Sequence, residues 1–390
     1  MFFFCSLFLD SMQNLLEIQT MPVFNELRLN RPSANRKRVH GRGARSNETG
    51  RYEQEKRDVF HDDWETHQEL ICTQTTTVHL ETAKSIIAHN DSPDLLFEQS
   101  INPYRGCEHG CIYCYARPTH AFLGHSPGLD FEMKLYAKTN AAELLEAEFK
   151  RPGYKVKTIA LGAATDAYQP IERTYKITRQ LLEVLACYNH PVGIVTKSHL
   201  ITRDIDILSH MAARGLVKVA VSLTTLNPEV ARKMEPRAAT PQRRLQTIEL
   251  LSAAGIPLTV MAAPIVPGLN DHEIERIVCA AKRAGVSSGA YVMLRLPLEL
   301  KQLFREWLAT EFPNRQRRII KLLQEMHGGK DYTAEFGVRQ RGKGPFANLV
   351  ALRFRQALQR YGLAKKSPDL RTDLFKRPHK HHRQMDLFTD

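Results

Sequence analysis

Three cysteines crowd into one short stretch, Asn102-Pro103-Tyr104-Arg105-Gly106-Cys107-Glu108-His109-Gly110-Cys111-Ile112-Tyr113-Cys114-Tyr115. Thiolates are soft ligands, and thiolates gathered at this spacing bind zinc or a cluster of iron and sulfide. Zinc asks for a fourth nearby Cys or His, and His109 is the candidate inside the loop. A fully protein-bound 4Fe-4S cluster takes four cysteines. Cys107, Cys111 and Cys114 supply three, which leaves one iron open to another ligand. On spacing alone, a zinc site and a plain electron-carrying cluster stand beside that reading. Gly106 and Gly110 let the backbone wrap closely around a bulky group. Pro103 stiffens the entry to the loop, and Tyr113 and Tyr115 flank the last thiol, where their rings would shield it from water.

Elements that could position such a loop follow in regular order. Thr73 to Leu80 and Asp94 to Ile101 read as extended. Beyond the loop, the short apolar runs Val156–Gly162, Val192–Thr196, Val217–Leu223, Leu258–Ala262 and Ala290–Leu294 read as strands. Helical patterns separate them: Ala141–Phe149 after a cap at Asn140, Tyr175–Tyr188, Asp204–Arg214, Thr240–Ala254 and Asn270–Ala284. Thr240 and Pro241 form an N-cap and first-turn pair, and Gly255 and Gly285 stop their helices. Further helices run over Leu298–Leu308, Asn314–Met326 and Phe346–Tyr361, the last with an apolar face of Val350, Leu352, Phe354 and Leu358. About six βα units predict an α/β fold with a parallel sheet covered by helices, whose right-handed crossovers curl it toward a barrel. In such folds the chemistry sits at the C-terminal strand ends. The cysteine loop follows the first strand.

Each later strand end also carries polar or conformationally special residues. Gly162, Thr165 and Asp166 follow the second strand, where the glycine admits a ligand closely and the aspartate supplies a carboxylate. Lys197 follows the third and suits an anionic group. Ser222, Thr224 and Thr225 follow the fourth, and the rigid turn Ala263-Pro264-Ile265-Val266-Pro267-Gly268 follows the fifth. Singly these are ordinary loop residues. Their recurrence at successive strand ends makes them one site.

The spacing C-x3-C-x-aromatic-C resembles the signature of the radical SAM superfamily. The strand-end residues, with Glu235-Pro236-Arg237 and Arg244, are similar to its spore photoproduct lyase-like, DNA repair photolyase-like group. The resemblance implies a partial (βα)6 TIM-like barrel of radical SAM type over about residues 95–300. It implies a 4Fe-4S cluster on Cys107, Cys111 and Cys114, with S-adenosylmethionine (SAM) chelating the open iron through its amine and carboxylate. An external electron donor would reduce the cluster and so drive SAM cleavage to methionine and a 5′-deoxyadenosyl radical. Gly162, Thr165, Asp166, Lys197 and Ser222 would form the SAM site, and Tyr113 and Tyr115 would take the places of a radical-relaying tyrosine pair. The group's lyase carries a hydrogen-donating cysteine a few residues before the aspartate. Here the stretch is Gly162-Ala163-Ala164, so repair of the spore photoproduct itself is not expected. Nucleic acid, DNA first, is the substrate class implied; a protein or small-molecule substrate and a non-enzymatic iron–sulfur sensor are the alternatives.

The 390 residues divide into a basic arm over 1–65, the barrel with its lead-in over 66–327 and an extension over 328–390. The arm, with Asn35-Arg36-Lys37-Arg38 and Gly41-Arg42-Gly43-Ala44-Arg45, has few apolar anchors and reads as disordered or loosely attached. Lys and Arg number 55 against 42 Asp and Glu, a net charge of +13, which favours anionic partners, nucleic acid first. Cys5, Cys72, Cys187 and Cys279 lie scattered without a disulfide framework, as expected in a reducing compartment. Cys187 and Cys279 read as small buried hydrophobes on outer helices. No apolar run is long enough to span a membrane, and a cytoplasmic protein is expected. The final Gln384-Met385-Asp386-Leu387-Phe388 resembles the bacterial sliding-clamp-binding pentapeptide, with Gln384, Leu387 and Phe388 as its groove-filling residues; the alternative is a tail that docks on its own barrel.

Overall fold

The structure, a computed structural model, describes residues 41–53, 75–95, 97–365 and 367–377. Its main sheet orders seven strands as β10-β9-β8-β7-β6-β3-β2. They are β2 (Ile87–His89), β3 (Gln99–Ile101), β6 (Ile159–Leu161), β7 (Val192–Thr196), β8 (Val217–Ser222), β9 (Leu258–Ile265) and β10 (Ser288–Met293). Strands β3 and β6 through β10 run parallel, and β2 pairs antiparallel with β3 at the edge. The outermost strands do not pair with each other, so the sheet is a partial (βα)6 barrel with an open seam. A second sheet joins β1 (Thr77–Glu81), β5 (Lys134–Lys138) and β4 (Tyr104–Arg105). Thus β1, the strand formed at the end of the extended Thr73–Leu80 reading, lies outside the main sheet, and β5 is a strand the periodicity did not reveal.

Side chains alternate faces along a strand, so register separates the two surfaces of the sheet. Val192, Ile194, Val219, Val221, Val260 and Ala262 fall on one face, all buried. On that face Gly289 abuts Leu358 and Phe354, so it is the helix-covered side. Gly193, Val195, Ala220, Met261 and Ala263 face the other way and are only half-buried or exposed. The barrel interior is therefore a lined hollow rather than a packed layer. By the same parity Gly162, Lys197 and Ser222 point inward.

The crossover helices are α1 (Ala141–Lys150), α2 (Ile177–Cys187), α3 (Ile205–Ala213), α4 (Pro241–Ala253) and α5 (Ile274–Ala284), followed by α6 (Leu300–Glu311), α7 (Pro313–Met326) and α8 (Gly344–Arg360). Their starts follow the sequence where a side chain can cap: Thr240 accepts from the Arg243 N–H. Asn140 instead pairs with both backbone groups of Ala83, and Asn270 is drawn inward to bind Val266, Thr224 and Pro264. Helix α8 packs through Val350, Phe354, Ala357 and Leu358, while Leu352 is 45% exposed. Cys187 is exposed rather than buried, because it ends α2 on its outer side, and Cys279 is half-buried. No helix of the described residues is long and apolar enough to cross a membrane.

Two terminal segments depart from the expected picture. Residues 41–53 are not a loose arm, because Arg42, Gly43, Ala44 and Ser46 are buried. Polar bonds replace the missing apolar anchors. The Glu132 carboxylate accepts from the Gly43 and Ala44 N–H groups, and Arg42 donates to the Glu132 carbonyl. Asn47 and Asp130 exchange two hydrogen bonds. At the other end, residues 363–365 and 367–377 run as a strap beneath the strand starts. Ala364 bonds beside β10, Lys218 donates to Pro368, Arg371 reaches Gly215, and Phe375 enters an aromatic cluster of Phe149, Tyr154, Tyr188 and His190. The rest of the basic arm, Cys5, Cys72, and the terminal peptide with Gln384, Leu387 and Phe388 lie outside the described residues.

Candidate functional site

The cysteine loop leaves β3 at the mouth of the hollow and is held from behind by groups that had no local signature. Arg117, fully buried, donates to the carbonyls of Cys111 (2.9 Å), Gly110, Pro127 and Gly128 and pairs with Glu132. Gln169 donates to the Gly106 carbonyl and accepts from the Glu108 N–H. Cys107 N–H bonds to Phe131, and Ile112 N–H to Met234. Gly106 and Gly110 take positive φ, and a Cβ there would lie 2.8 Å from the Phe131 carbonyl and 2.7 Å from Glu132. Their freedom serves close packing against the protein behind the loop.

A charged network faces the thiols. Asp166 accepts from the Thr196 hydroxyl (2.7 Å), the Tyr168 N–H and the Lys197 N–H (2.9 Å each), with His109 Nδ1 at 3.4 Å. Burial pushes this carboxyl up, but His109 and Lys197 overcome it and hold it below the usual carboxylate range. Across the mouth Arg244, fully buried, pairs with Glu235 and donates to the carbonyls of Ser222 and Ala239. Glu235 also accepts from Tyr113 and Thr224. Burial opposes its charge, and Arg244 and Lys197 keep it below its ordinary value.

Lys197 is the exception in this network. Its ammonium makes no hydrogen bond or ion pair among the described residues, though burial opposes its charge and only Cys111, Glu235 and Asp166 hold its pKa up. Such a cation is prepared for an anionic ligand. The thiols fit a metal group equally well. Burial pushes Cys107 well up and Cys111 to about 12. Coordination reverses that penalty, since a metal-bound thiol is deprotonated outright. Among the described residues no three His, Cys, Asp or Glu side chains converge as the ligands of one ion would. His109, the candidate fourth zinc ligand, lies against Asp166.

The expected site residues thus gather at one mouth, but with different employment. Thr165 donates to the Tyr104 carbonyl and Ser222 to Ala263 (3.1 Å), so both hydroxyls brace neighbouring strand ends. Gly162 sits at φ 83°, where a Cβ would strike the Val195 carbonyl at 2.8 Å. The two tyrosines diverge: Tyr113 donates inward to Glu235, and Tyr115, exposed, donates to the Ala163 carbonyl at the rim. Arg117, Glu132 and Gln169 were missed, because single polar residues carry no periodicity.

Comparison with known proteins agrees with this geometry. The Radical SAM superfamily matches residues 101–279. An uncharacterized protein of Mycobacterium tuberculosis is 37% identical over 230 residues, spanning 58% of this chain and 68% of that protein. The radical SAM Nalpha-GlyT isomerase of Pseudomonas phage M6 is 27% identical over 181 residues, 45% of this chain and 35% of that one. Among solved structures, spore photoproduct lyase complexed with dinucleoside spore photoproduct shares the fold. Its TM-score is 0.54 at 15% identity, covering 73% of this chain and 79% of that one. With its thiol loop, its hollow and these relatives, the chain belongs to the radical SAM superfamily, as an enzyme whose cofactors are a 4Fe-4S cluster and S-adenosylmethionine.

Proposed function

We propose that Cys107, Cys111 and Cys114 hold the cluster, that SAM occupies the hollow above it, and that the substrate is nucleic acid, DNA first. A 4Fe-4S cluster held by these thiols, supplied with an electron by an external donor, would furnish the reductive SAM cleavage from which hydrogen abstraction on the substrate follows. The observation that carries the assignment is Lys197, an inward cation whose ammonium makes no hydrogen bond or ion pair among the described residues, set beside the buried Cys111 thiol. It receives the SAM carboxylate. Asp166 fixes the backbone on which Lys197 stands, and Glu235 with Arg244 walls the opposite side. Tyr113, bonded to Glu235, can pass its proton there if it relays the radical; Tyr115 stands at the rim.

Nucleic acid is supported by the net charge of +13 and by helix α7. Exposed Arg315, Arg317 and Arg318 on that helix have no carboxylate partner among the described residues, and Arg318 reaches Gly268 in the turn after β9. Spore photoproduct lyase, which shares the fold at 15% identity, has been solved complexed with dinucleoside spore photoproduct. The free thiols of the described cysteines suit a reducing cytoplasm. The Gln384, Leu387 and Phe388 peptide would add a sliding clamp as partner, on sequence alone.

Anaerobic reconstitution followed by SAM cleavage, with candidate DNA and RNA added, tests this. Release of 5′-deoxyadenosine is expected to rise with one nucleic acid and to vanish in Cys111→Ala. Release from that variant at the parent's rate removes the cluster assignment; indifference to every nucleic acid moves the substrate to a protein or small molecule.

A further inference from the structure

At its mouth the open seam of the barrel is crossed by a contact between the loops after β10 and β3. Arg295, just after β10, lays its guanidinium 5.0 Å from the centre of the Tyr115 ring. Tyr115 belongs to the loop after β3, so the first and last parallel strands, unpaired in the sheet, meet here through side chains. The ring is held from the far side, because its hydroxyl donates to the Ala163 carbonyl after β6. The guanidinium is held too: one Nη donates to Tyr332 at 3.3 Å.

What Arg295 lacks is a counter-ion. It forms no ion pair with any described carboxylate, and its Nε–H is buried without an acceptor. The other arginines fixed around this site are satisfied: Arg117 by Glu132, Arg244 by Glu235 and Arg237 by Glu108. Leaving a buried donor unpaired is unfavourable relative to pairing it. A guanidinium set against an aromatic ring, with Nη hydrogens left over from the Tyr332 bond, can still offer a bidentate face to an oxyanion such as phosphate.

The rim beside it carries a second aromatic–arginine group. Glu299, in the same loop as Arg295, pairs with Arg51, which lies 5.4 Å from the centre of the Tyr52 ring. Tyr52 stacks on Phe122 at 5.2 Å, and both rings are exposed, at 55% and 47%. Exposed aromatic rings beside a cation are a platform on which unpaired bases stack.

We propose that Arg295 binds a backbone phosphodiester of the substrate strand at the seam, with the Tyr52–Phe122 pair offering a stacking ledge for an adjoining base. This rests on the nucleic-acid reading above. Arg295 is then a substrate-binding residue that sets which nucleotide enters the hollow.

The test uses the full chain with its cluster reconstituted anaerobically. A fluorescein-labelled single-stranded DNA 12-mer, with RNA and duplex versions, is titrated by anisotropy over a range of KCl. Arg295→Gln is expected to weaken binding on the order of tenfold and to lower the slope of log K against log salt by about one. Arg295→Lys should recover the slope but not the full affinity, because a point charge replaces the fork. Arg360→Gln, at the opposite end of the barrel, should change neither. Iron content and thermal midpoint confirm that each variant is folded, and Arg295→Lys answers the question if Arg295→Gln is not. The proposal is overturned if parent and both Arg295 variants bind with one affinity and slope, or if Arg360→Gln lowers the slope as much. Failure of the parent to bind any of the three probes overturns instead the nucleic-acid reading on which the proposal stands.

Discussion

Asp166→Asn separates a residue that touches SAM from one that positions another. The native carboxylate satisfies three donors, the Thr196 hydroxyl, the Tyr168 N–H and the Lys197 N–H. An amide in the same place can keep the first two through its single oxygen. Its NH2 group then confronts the Lys197 N–H, so one charge-assisted bond is lost and a buried donor is stranded. Hydrogen bonds to a charged group contribute about 1.5–3 kcal/mol and a stranded donor costs about 1–3. With partial relaxation, a loss of roughly 2–4 kcal/mol follows, read as a fall of several degrees in thermal midpoint. The Lys197 backbone shifts with it, so SAM affinity measured by calorimetry on the reconstituted protein drops, while iron content stays near the parent's. Thr196→Val is the decisive companion. It removes one bond to Asp166 without touching a ligand, and a positioning role requires that it reproduce part of the affinity loss. Unchanged SAM binding in Thr196→Val beside a large loss in Asp166→Asn would refute this reasoning and make the carboxylate a direct contact.

Gly43→Val should loosen the cluster loop from behind, since a Cβ there would fall 1.8 Å from the Gly110 carbonyl; faster iron loss to a chelator and a lower thermal midpoint are expected, and parental values for both would show the segment to be dispensable. Acid should destabilise the protein through His190, whose burial against Phe149 depresses its pKa from 6.5 to about 4. The unfolded chain then binds the extra proton, so this contribution is whole above pH 6.5 and is lost as pH falls toward 4, a span of about 3 kcal/mol. His190→Asn should flatten the midpoint-against-pH curve in that window; an equally steep curve would clear His190 of the effect.

The sequence by itself determined the order of the fold and the location of its chemistry. Val192–Thr196 is a strand with those bounds because a short β-branched run has few alternatives, and Thr240-Pro241 starts a helix because its cap is local. The thiol triad and the inward cation were legible for the same reason, since a strand end and a three-residue spacing are properties of neighbouring residues. Only the tertiary structure decided which groups those residues answer to. Glu132 draws Gly43 and Ala44 across nearly ninety residues of chain, turning a segment with few apolar residues into a buried brace. Asp166 proved to serve Lys197 rather than stand free, and Glu235 to be neutralised by Arg244. Tyr115 and Arg295, almost two hundred positions apart, meet across a seam that exists only because the sheet does not close. Burial converts such polar contacts from negligible to decisive, and burial is a property of the packed whole, which leaves no periodic trace in the chain.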